Sequence, residues 1–421
     1  MKFQLIIKKL KKSGLARLVR RFRSAFYRFI YSDPFYLAPL YKKKTKFLSD
    51  GELPTFFGYH DKTPFNSSND KLLAVSVDCD DRDPTAEGDM MNIGYFEIGN
   101  NEVKKKFHKI GTTITWCWQQ GCMLQWNPIQ AEREIFYNAM VADRYGLIQK
   151  DILTGEIVKS YAEPMYAISP LGNEYLTLNF DRLGRLRPGY GYTHFQDVTL
   201  GQKAPPSDGL FIYDMRKDKK ELVISLSALA EDVESIAGDE HYINHATYSP
   251  DGKKIAFFHL WSQPNDKGRQ LRFLLYDKIT KKLQVVEDYR IVSHYCWKNS
   301  KEIIATTRES SGKWHYTLYN FSDGSKKDLN IPLDRDGHPM LSPVDQDILI
   351  TDTYPDKRND QHLCKVNINT GEVIELDTFY SPFKYMGQVR CDLHPRWDRN
   401  GTLVSVDSTE NDIRKLGIVY L

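Results

Sequence analysis

Three histidines occupy the same place in a recurring pattern. His245-Ala-Thr-Tyr-Ser-Pro-Asp-Gly, His338-Pro-Met-Leu-Ser-Pro-Val-Asp and His394-Pro-Arg-Trp-Asp-Arg-Asn-Gly each set an imidazole four residues before a polar turn. The unit between the first two offers Ser293-His294-Tyr295-Cys296-Trp297 in the same region, so His294 or Cys296 is a fourth candidate. Imidazole with or without thiolate suits Zn²⁺, whereas imidazole with carboxylate or water suits Mn²⁺. The expectation is a divalent metal, zinc ahead of manganese, held by His245, His294 or Cys296, His338 and His394. A single histidine at such a place more often bonds its neighbours; three in one register favour a shared ion.

Two further clusters carry binding chemistry. Trp116-Cys117-Trp118-Gln119-Gln120-Gly121 combines indoles, which stack on pyranose faces, with amides, which read hydroxyls. Trp118, Gln119 and Gln120 are therefore candidate sugar contacts, although tryptophan packing between elements is an equal reading. Arg182, Arg185 and Arg187 lead into Pro188-Gly189-Tyr190-Gly191-Tyr192-Thr193-His194. Arginine pairs bidentately with carboxylate, phosphate or sulfate, and a tyrosine hydroxyl can transfer a proton. Arg390-Cys391-Asp392-Leu393-His394-Pro395-Arg396-Trp397 adds Arg390 and Arg396 beside the expected metal. Arg185, Tyr192, Arg390 and Arg396 join the substrate contacts, and an acidic, uronate-bearing glycan is the ligand they suit.

The elements that must position these groups are short strands. From about residue 50, turns such as Asn66-Ser67-Ser68-Asn69-Asp70, Ser169-Pro170-Leu171-Gly172 and Ser249-Pro250-Asp251-Gly252 precede alternating β runs, and seven such units recur. Spacings of about 40 to 80 residues suggest blades of a propeller, a closed ring that shields its sheet edges. The expected fold is all-β, a seven-bladed β-propeller over residues 47–421, closed by a strand near residues 53–59 that completes the last blade. Residues 182–206 form a loop long enough to be functional.

Composition agrees with a large folded body: 421 residues, 41% hydrophobic and 27% charged, which excludes a disordered chain. Six cysteines without a C-x-x-C exclude a disulfide scaffold. No Walker A or G-x-G-x-x-G motif and no G-x-S-x-G elbow is present. The net charge of +3 hides an asymmetry. Residues 1–50 carry 14 Lys and Arg against two Asp (14 − 2 = +12), which leaves 44 − 53 = −9 for the rest. Leu15, Leu18, Val19, Phe22, Phe26, Phe29 and Ile30 fall on one helical face, with arginines around them. Residues 1–46 are therefore expected to be a basic amphipathic helical arm lying on an anionic membrane surface. The expected location is cytoplasmic, peripheral to the inner face of the membrane, with no nucleic acid partner.

The segments Tyr59-His60-Asp61-Lys62-Thr63-Pro64-Phe65, Trp118–Trp126, Arg187-Pro188-Gly189-Tyr190-Gly191-Tyr192, Asp336-Gly337-His338-Pro339, Thr351-Asp352-Thr353-Tyr354-Pro355 and Asp392–Trp397 resemble the seven-bladed propeller polysaccharide lyases. The resemblance is to the ulvan lyase group and, more distantly, to oligogalacturonate lyases. It implies metal-assisted β-elimination at a uronic acid, with Tyr190 as proton donor, His194 or His60 as its acid–base partner and Arg187 on the carboxylate. The second-blade histidine pair of the ulvan group has no counterpart, since no histidine lies between His108 and His194. Gln119, Gln120 and Asn138 stand in that stretch, and Asn138 becomes a substrate contact in this reading. An alternative function is surface-polysaccharide assembly on a lipid-linked glycan without lyase activity, and a second is a non-enzymatic propeller scaffold.

Overall fold

The turns explain why the chain keeps reversing. In Ser249-Pro250-Asp251-Gly252 the serine carbonyl accepts from Gly252 N at 2.8 Å and its Oγ accepts from Lys254 N at 2.9 Å. Gly252 sits at φ +70°, where a side chain is strained. Ser169–Gly172 repeats the backbone bond at 2.9 Å, and Asp398 replaces the serine by accepting from Thr402 N at 2.7 Å. After each turn comes a run such as Lys254–Ser262, whose Ile, Phe, Leu and Trp side chains are buried. Such residues favour a pleated, packed surface.

A computed structural model describes residues 22, 26, 45–99, 102–236, 238–262 and 269–421. It forms seven four-stranded antiparallel sheets, the blades of an all-β seven-bladed propeller. The expected amphipathic arm lies outside the described residues, apart from helical, exposed Phe22 and Phe26 and the residues from 45 onward. Among the described residues no helix is long and apolar enough to cross a membrane.

The inner strands of blades one to seven are Thr55–Phe56, Gln125–Trp126, Ala167–Ile168, Glu240–Tyr248, Ile291–Asn299, Met340–Leu341 and Arg396–Trp397. Each leads into a recurring turn, so the strand after that turn is the second of its blade. The expected closure differs in detail. Thr55–Phe56 belongs to blade one, pairing with Lys71–Val77, while Lys46–Leu48 pairs with Lys415–Tyr420 as the outer strand of blade seven. The three-residue closing strand is too short for its periodicity to be read from the chain.

Apolar layers fill the spaces between blades. One cluster spans blades two to five, and another joins blades seven, one and two through Leu48, Phe56, Trp116, Trp118 and Leu416. Each fully buried Val, Leu, Ile or Phe contributes about 1.5–3 kcal/mol.

The long insertion connects the second and third strands of blade three. It begins with helix α1 (Phe180–Leu186), whose N-cap Asn179 accepts from Arg182 N. Arg182 is buried and ties the insertion together. Its Nε donates to His241 O at 2.7 Å, and its two Nη atoms donate to Thr199 Oγ1 at 2.8 Å and Gln202 O at 2.9 Å. Gly189, at φ +95°, lets the loop pass close to Gln388, where a Cβ would meet the backbone at 2.9 Å. The insertion therefore lies on the face of the ring from which the chain enters each inner strand, beside the histidines.

Candidate active site and metal centre

Five blades deliver five buried imidazoles to one volume: His245 and His294 from within the inner strands of blades four and five, His338 and His394 just before those of blades six and seven, and His60 just after Thr55–Phe56 of blade one. Ring centroids lie 3.9 Å apart for His294–His338 and 4.4 Å for His338–His394. His60 stands 5.1 Å from His338, and His245 stands 6.1 Å from His294. Tyr59 packs among them, 5.1 Å from His245 and 4.9 Å from His394. His245 and His394 share an unusual backbone, φ 53° and 45°, in a region that L residues rarely occupy. Strain of this kind persists where the surroundings enforce it. Here Tyr166 Oη accepts from His245 N at 2.8 Å, and Asp352 Oδ2 accepts from His394 N at 3.0 Å.

Buried oxygens stand behind three of the rings. His294 Nδ1 lies 3.1 Å from Asp336 Oδ1, His338 Nδ1 2.8 Å from Asp352 Oδ1, and His394 Nδ1 2.8 Å from Gly58 O. Gly58 and Asp352 thereby fix two tautomers with the proton on Nδ1. The Nε2 atoms of His338 and His394 are buried without a hydrogen-bond partner, as is that of His245. A backed Nδ1 and a bare Nε2 are what metal-ligating histidines show. His338, His394 and Asp392 bring ligand atoms within 4.8 Å of one another, all buried. The donor set of imidazoles and one carboxylate fits a divalent cation, with His294 beside it.

Electrostatics follow the same division. Burial lowers the basicity of His60, His245 and His394 far below that of free imidazole, and neighbouring histidines or arginines add to it. His294 is lowered too, by burial and then by His338. His338 is the exception. Burial pushes it down, but Asp352, Asp392 and Asp336 outweigh that and raise it. Asp336 and Asp392 stay ionised below the usual carboxylate range despite burial, held down by His294 and Arg390 respectively. Burial holds Tyr59 and Tyr354 as neutral phenols.

The mouth of this centre is basic. A cavity of about 440 Å³ is lined by Arg187, His245, Phe258, Arg269 and Arg290 among others, between blades four and five. Half-buried Arg187 lies 4.3 Å over the Tyr190 ring, whose centroid is 5.7 Å from His245. Half-buried Arg390 binds Asp392 through Nε at 2.8 Å and Nη2 at 2.7 Å, with Tyr354 under its guanidinium.

Several expected site residues are scaffold instead. Cys296 packs in the apolar layer with Ile304 and Leu341, and burial pushes its thiol up to about 12, so His294 takes the place in the cluster. His194 packs edge-on to Tyr145 at 6.2 Å, outside the five-histidine group. Trp118 is buried and donates to Asp83 O at 2.8 Å, leaving no face for a sugar. Gln119 donates to Arg390 O at 2.8 Å, and Gln120 to Tyr166 Oη at 2.9 Å. Asn138 donates to Met165 O and Tyr192 Oη and accepts from Met165 N, each at 2.8 Å. Tyr192 stacks on Phe180 at 4.5 Å. Arg185 bridges Asp197 at 2.7 Å and Glu240 at 2.5 Å. Arg396 is buried against Asp407 at 2.7 Å and the carbonyls of Gly58 and Tyr59. In each case a polar group near the site is consumed by the architecture that holds it. Sequence reasoning gave no role to Tyr59, Asp336, Asp352, Tyr354 and Asp392; for Asp336 and Asp392 the signal is the Asp-x-His spacing of Asp336-Gly337-His338 and Asp392-Leu393-His394.

No protein-family model matches the chain, and no curated protein matches it. Among solved structures, an oligogalacturonate lyase from Vibrio parahaemolyticus is similar at 13% identity and TM-score 0.62, over 91% of this chain and 95% of that one. An oligogalacturonate lyase in complex with manganese is similar at 14% identity and TM-score 0.62, over 91% of this chain and 98% of the other. At these identities the likeness is one of fold: this chain has the architecture of a seven-bladed propeller found in those lyases.

Proposed function

We propose that the protein is a metal-dependent polysaccharide lyase acting on a uronate-containing glycan. The observation that carries this reading is neutral His245 and Arg187 lining one cleft, with the Tyr190 ring packed against both, beside a histidine–carboxylate set suited to a cation. His294, His338, His394 and Asp392 would hold the metal. Manganese is favoured over zinc, because a carboxylate and no thiolate joins the imidazoles and because a structure of this fold binds manganese. When bound, the ion supplies positive charge that acidifies the proton next to the uronate carboxylate.

The chain's own groups do the rest. Arg187 pairs with the uronate carboxylate at the mouth, where Arg269 adds positive charge. His245, kept unprotonated by burial, accepts the C5 proton. The electron pair of that bond becomes the C4–C5 double bond, and the C4–O4 bond breaks. Tyr190 gives its phenolic proton to the departing O4. In this reading His245 leaves the ligand set expected from the sequence and takes the base role expected of His194, and His60, 5.1 Å from His338, is a further neutral imidazole. A general base or acid contributes about 10²–10⁴-fold to rate.

The test is the ultraviolet absorbance of unsaturated uronate, measured with manganese-supplemented protein on oligogalacturonate and a panel of other uronate oligosaccharides. A rise that falls at least 100-fold in His245→Ala and in Tyr190→Phe supports the proposal. Silence across the panel, or unchanged rates in both variants, overturns it.

A further inference from the structure

A second cavity, of about 740 Å³, opens between blades two and three on the same face of the ring. That volume falls within the range of about 300–1,000 Å³ usual for small-molecule sites. It is walled off from the histidine centre. Phe180 and Tyr145 line it, and Tyr192 lies behind them, 4.5 Å from Phe180 and 5.1 Å from Tyr145 by ring centroids. Tyr190, on the next turn of the same loop, belongs to the other side.

The lining selects a ligand. Phe195 is 40% exposed at the rim beside Val198, and Phe211 faces the same space. Exposed aromatic rings on a cavity wall offer flat apolar faces of the kind that C–H-rich pyranose rings cover. Hydrogen-bonding groups surround them: Thr177, Asn179, Gln196, Thr199 and Ser207. Thr177 is buried with its Oγ1 unpartnered, so it has unused capacity to bind a hydroxyl, and the half-buried Asp181 carboxyl stands beside the Tyr145 hydroxyl on the same wall. Buried polar atoms are rarely left so without a partner to come. Asp143, Glu163, Asp181 and Asp208 stand against only Arg144 and Lys220, and Lys220 is already paired with Glu163 at 2.7 Å. That balance repels a carboxylate. Burial, with Asp197 adding to it, holds the Asp181 carboxyl up to about 6.

We infer that this cavity is a second glycan site, specific for neutral hexopyranosyl units and separate from the uronate cleft. It draws on the proposed function only in that one polymer could span both sites; binding here requires neither elimination nor a metal. A glycan that alternates acidic and neutral sugars is the class of ligand that would use the two together.

The experiment is calorimetric titration with maltotriose, cellotriose, mannotriose, galactotriose and chitotriose as probes, on the full chain and on Phe195→Ala, Asp181→Asn and His245→Ala. Circular dichroism verifies the fold of each variant. The expected result is binding of at least one neutral trisaccharide, equal in wild type and His245→Ala, and weakened at least tenfold in Phe195→Ala or Asp181→Asn. The inference is overturned if no probe binds, if binding survives both cavity substitutions, or if it disappears only in His245→Ala. Neutral-sugar binding that persists in a protein silent on every uronate would leave this site standing and remove the lyase reading alone.

Discussion

Asp352 is the carboxylate on which the proposed metal centre turns, and Asp352→Asn is the sharpest perturbation of it. Its Oδ1 accepts from His338 N at 2.7 Å and faces His338 Nδ1 at 2.8 Å, while its Oδ2 accepts from His394 N at 3.0 Å. One side chain thus sets the tautomer of one ligand and the strained backbone of another, on two blades. Asparagine keeps the shape but has one acceptor oxygen and no charge. It cannot satisfy both histidine backbones and Nδ1 together, and the lost bond is charge-assisted. Bonds to charged groups contribute about 1.5–3 kcal/mol and neutral ones about 0.5–1.5 kcal/mol. The difference of about 1–2 kcal/mol corresponds to roughly a 5- to 30-fold weaker site, in line with the 10- to 100-fold usual for partners of ligating histidines. Calorimetric titration of Mn²⁺ into wild type and Asp352→Asn at pH 7.5 measures this, with circular dichroism as the check on folding. Manganese affinity equal within twofold in a folded variant would refute the assignment of His338 and His394 as ligands.

Three other outcomes follow from the same geometry. Arg396→Leu strips the buried Asp407 of its ion partner and frees the Gly58 and Tyr59 carbonyls, so denaturant unfolding should show a loss of about 3–5 kcal/mol; a loss under 1 kcal/mol would remove the clasp between blades one and seven. Stability should decline in acid: burial depresses His241 to about 4 and holds His259 well below free imidazole, so only the unfolded chain takes up their protons as pH falls below about 6.5. Each such histidine costs up to about 1.4 kcal/mol per pH unit between its unfolded and folded values, partly offset by His338, which is shifted the other way, and urea unfolding at pH 7.5 and 5.5 reads the sign. Deleting residues 1–44 should abolish co-sedimentation with vesicles rich in anionic lipid; retention by the truncated chain would place membrane affinity elsewhere.

The architecture was readable because each blade carries a buried, apolar second strand behind a polar turn, as at Lys254–Ser262. The histidine register was readable for the same reason, being anchored to those turns. What lay hidden was any element too short to show a period. Thr55–Phe56 and Met340–Leu341 have two residues each, and Lys46–Leu48 three, so the order of strands within a blade and the identity of the closing strand were inaccessible. The substrate contacts failed for another reason. Trp118, Gln119, Asn138 and Arg396 are the residue types that a glycan site uses, but the same hydrogen-bonding capacity serves equally to join blades near the axis. Chain order cannot tell which partner a buried amide or guanidinium has found.

The pairing of Lys46–Leu48 with Lys415–Tyr420 has a consequence for biosynthesis. Among the described residues Lys46–Leu48 is the first strand made, and it waits for a mate made about 370 residues later, which at roughly 5–20 residues per second is an interval of about twenty seconds to more than a minute. During that time blade one can pair internally, but the circle stays open and the five imidazoles have not yet met. A nascent chain truncated before Lys415–Tyr420 would carry six or fewer complete blades, with the ring that brings the imidazoles together still open.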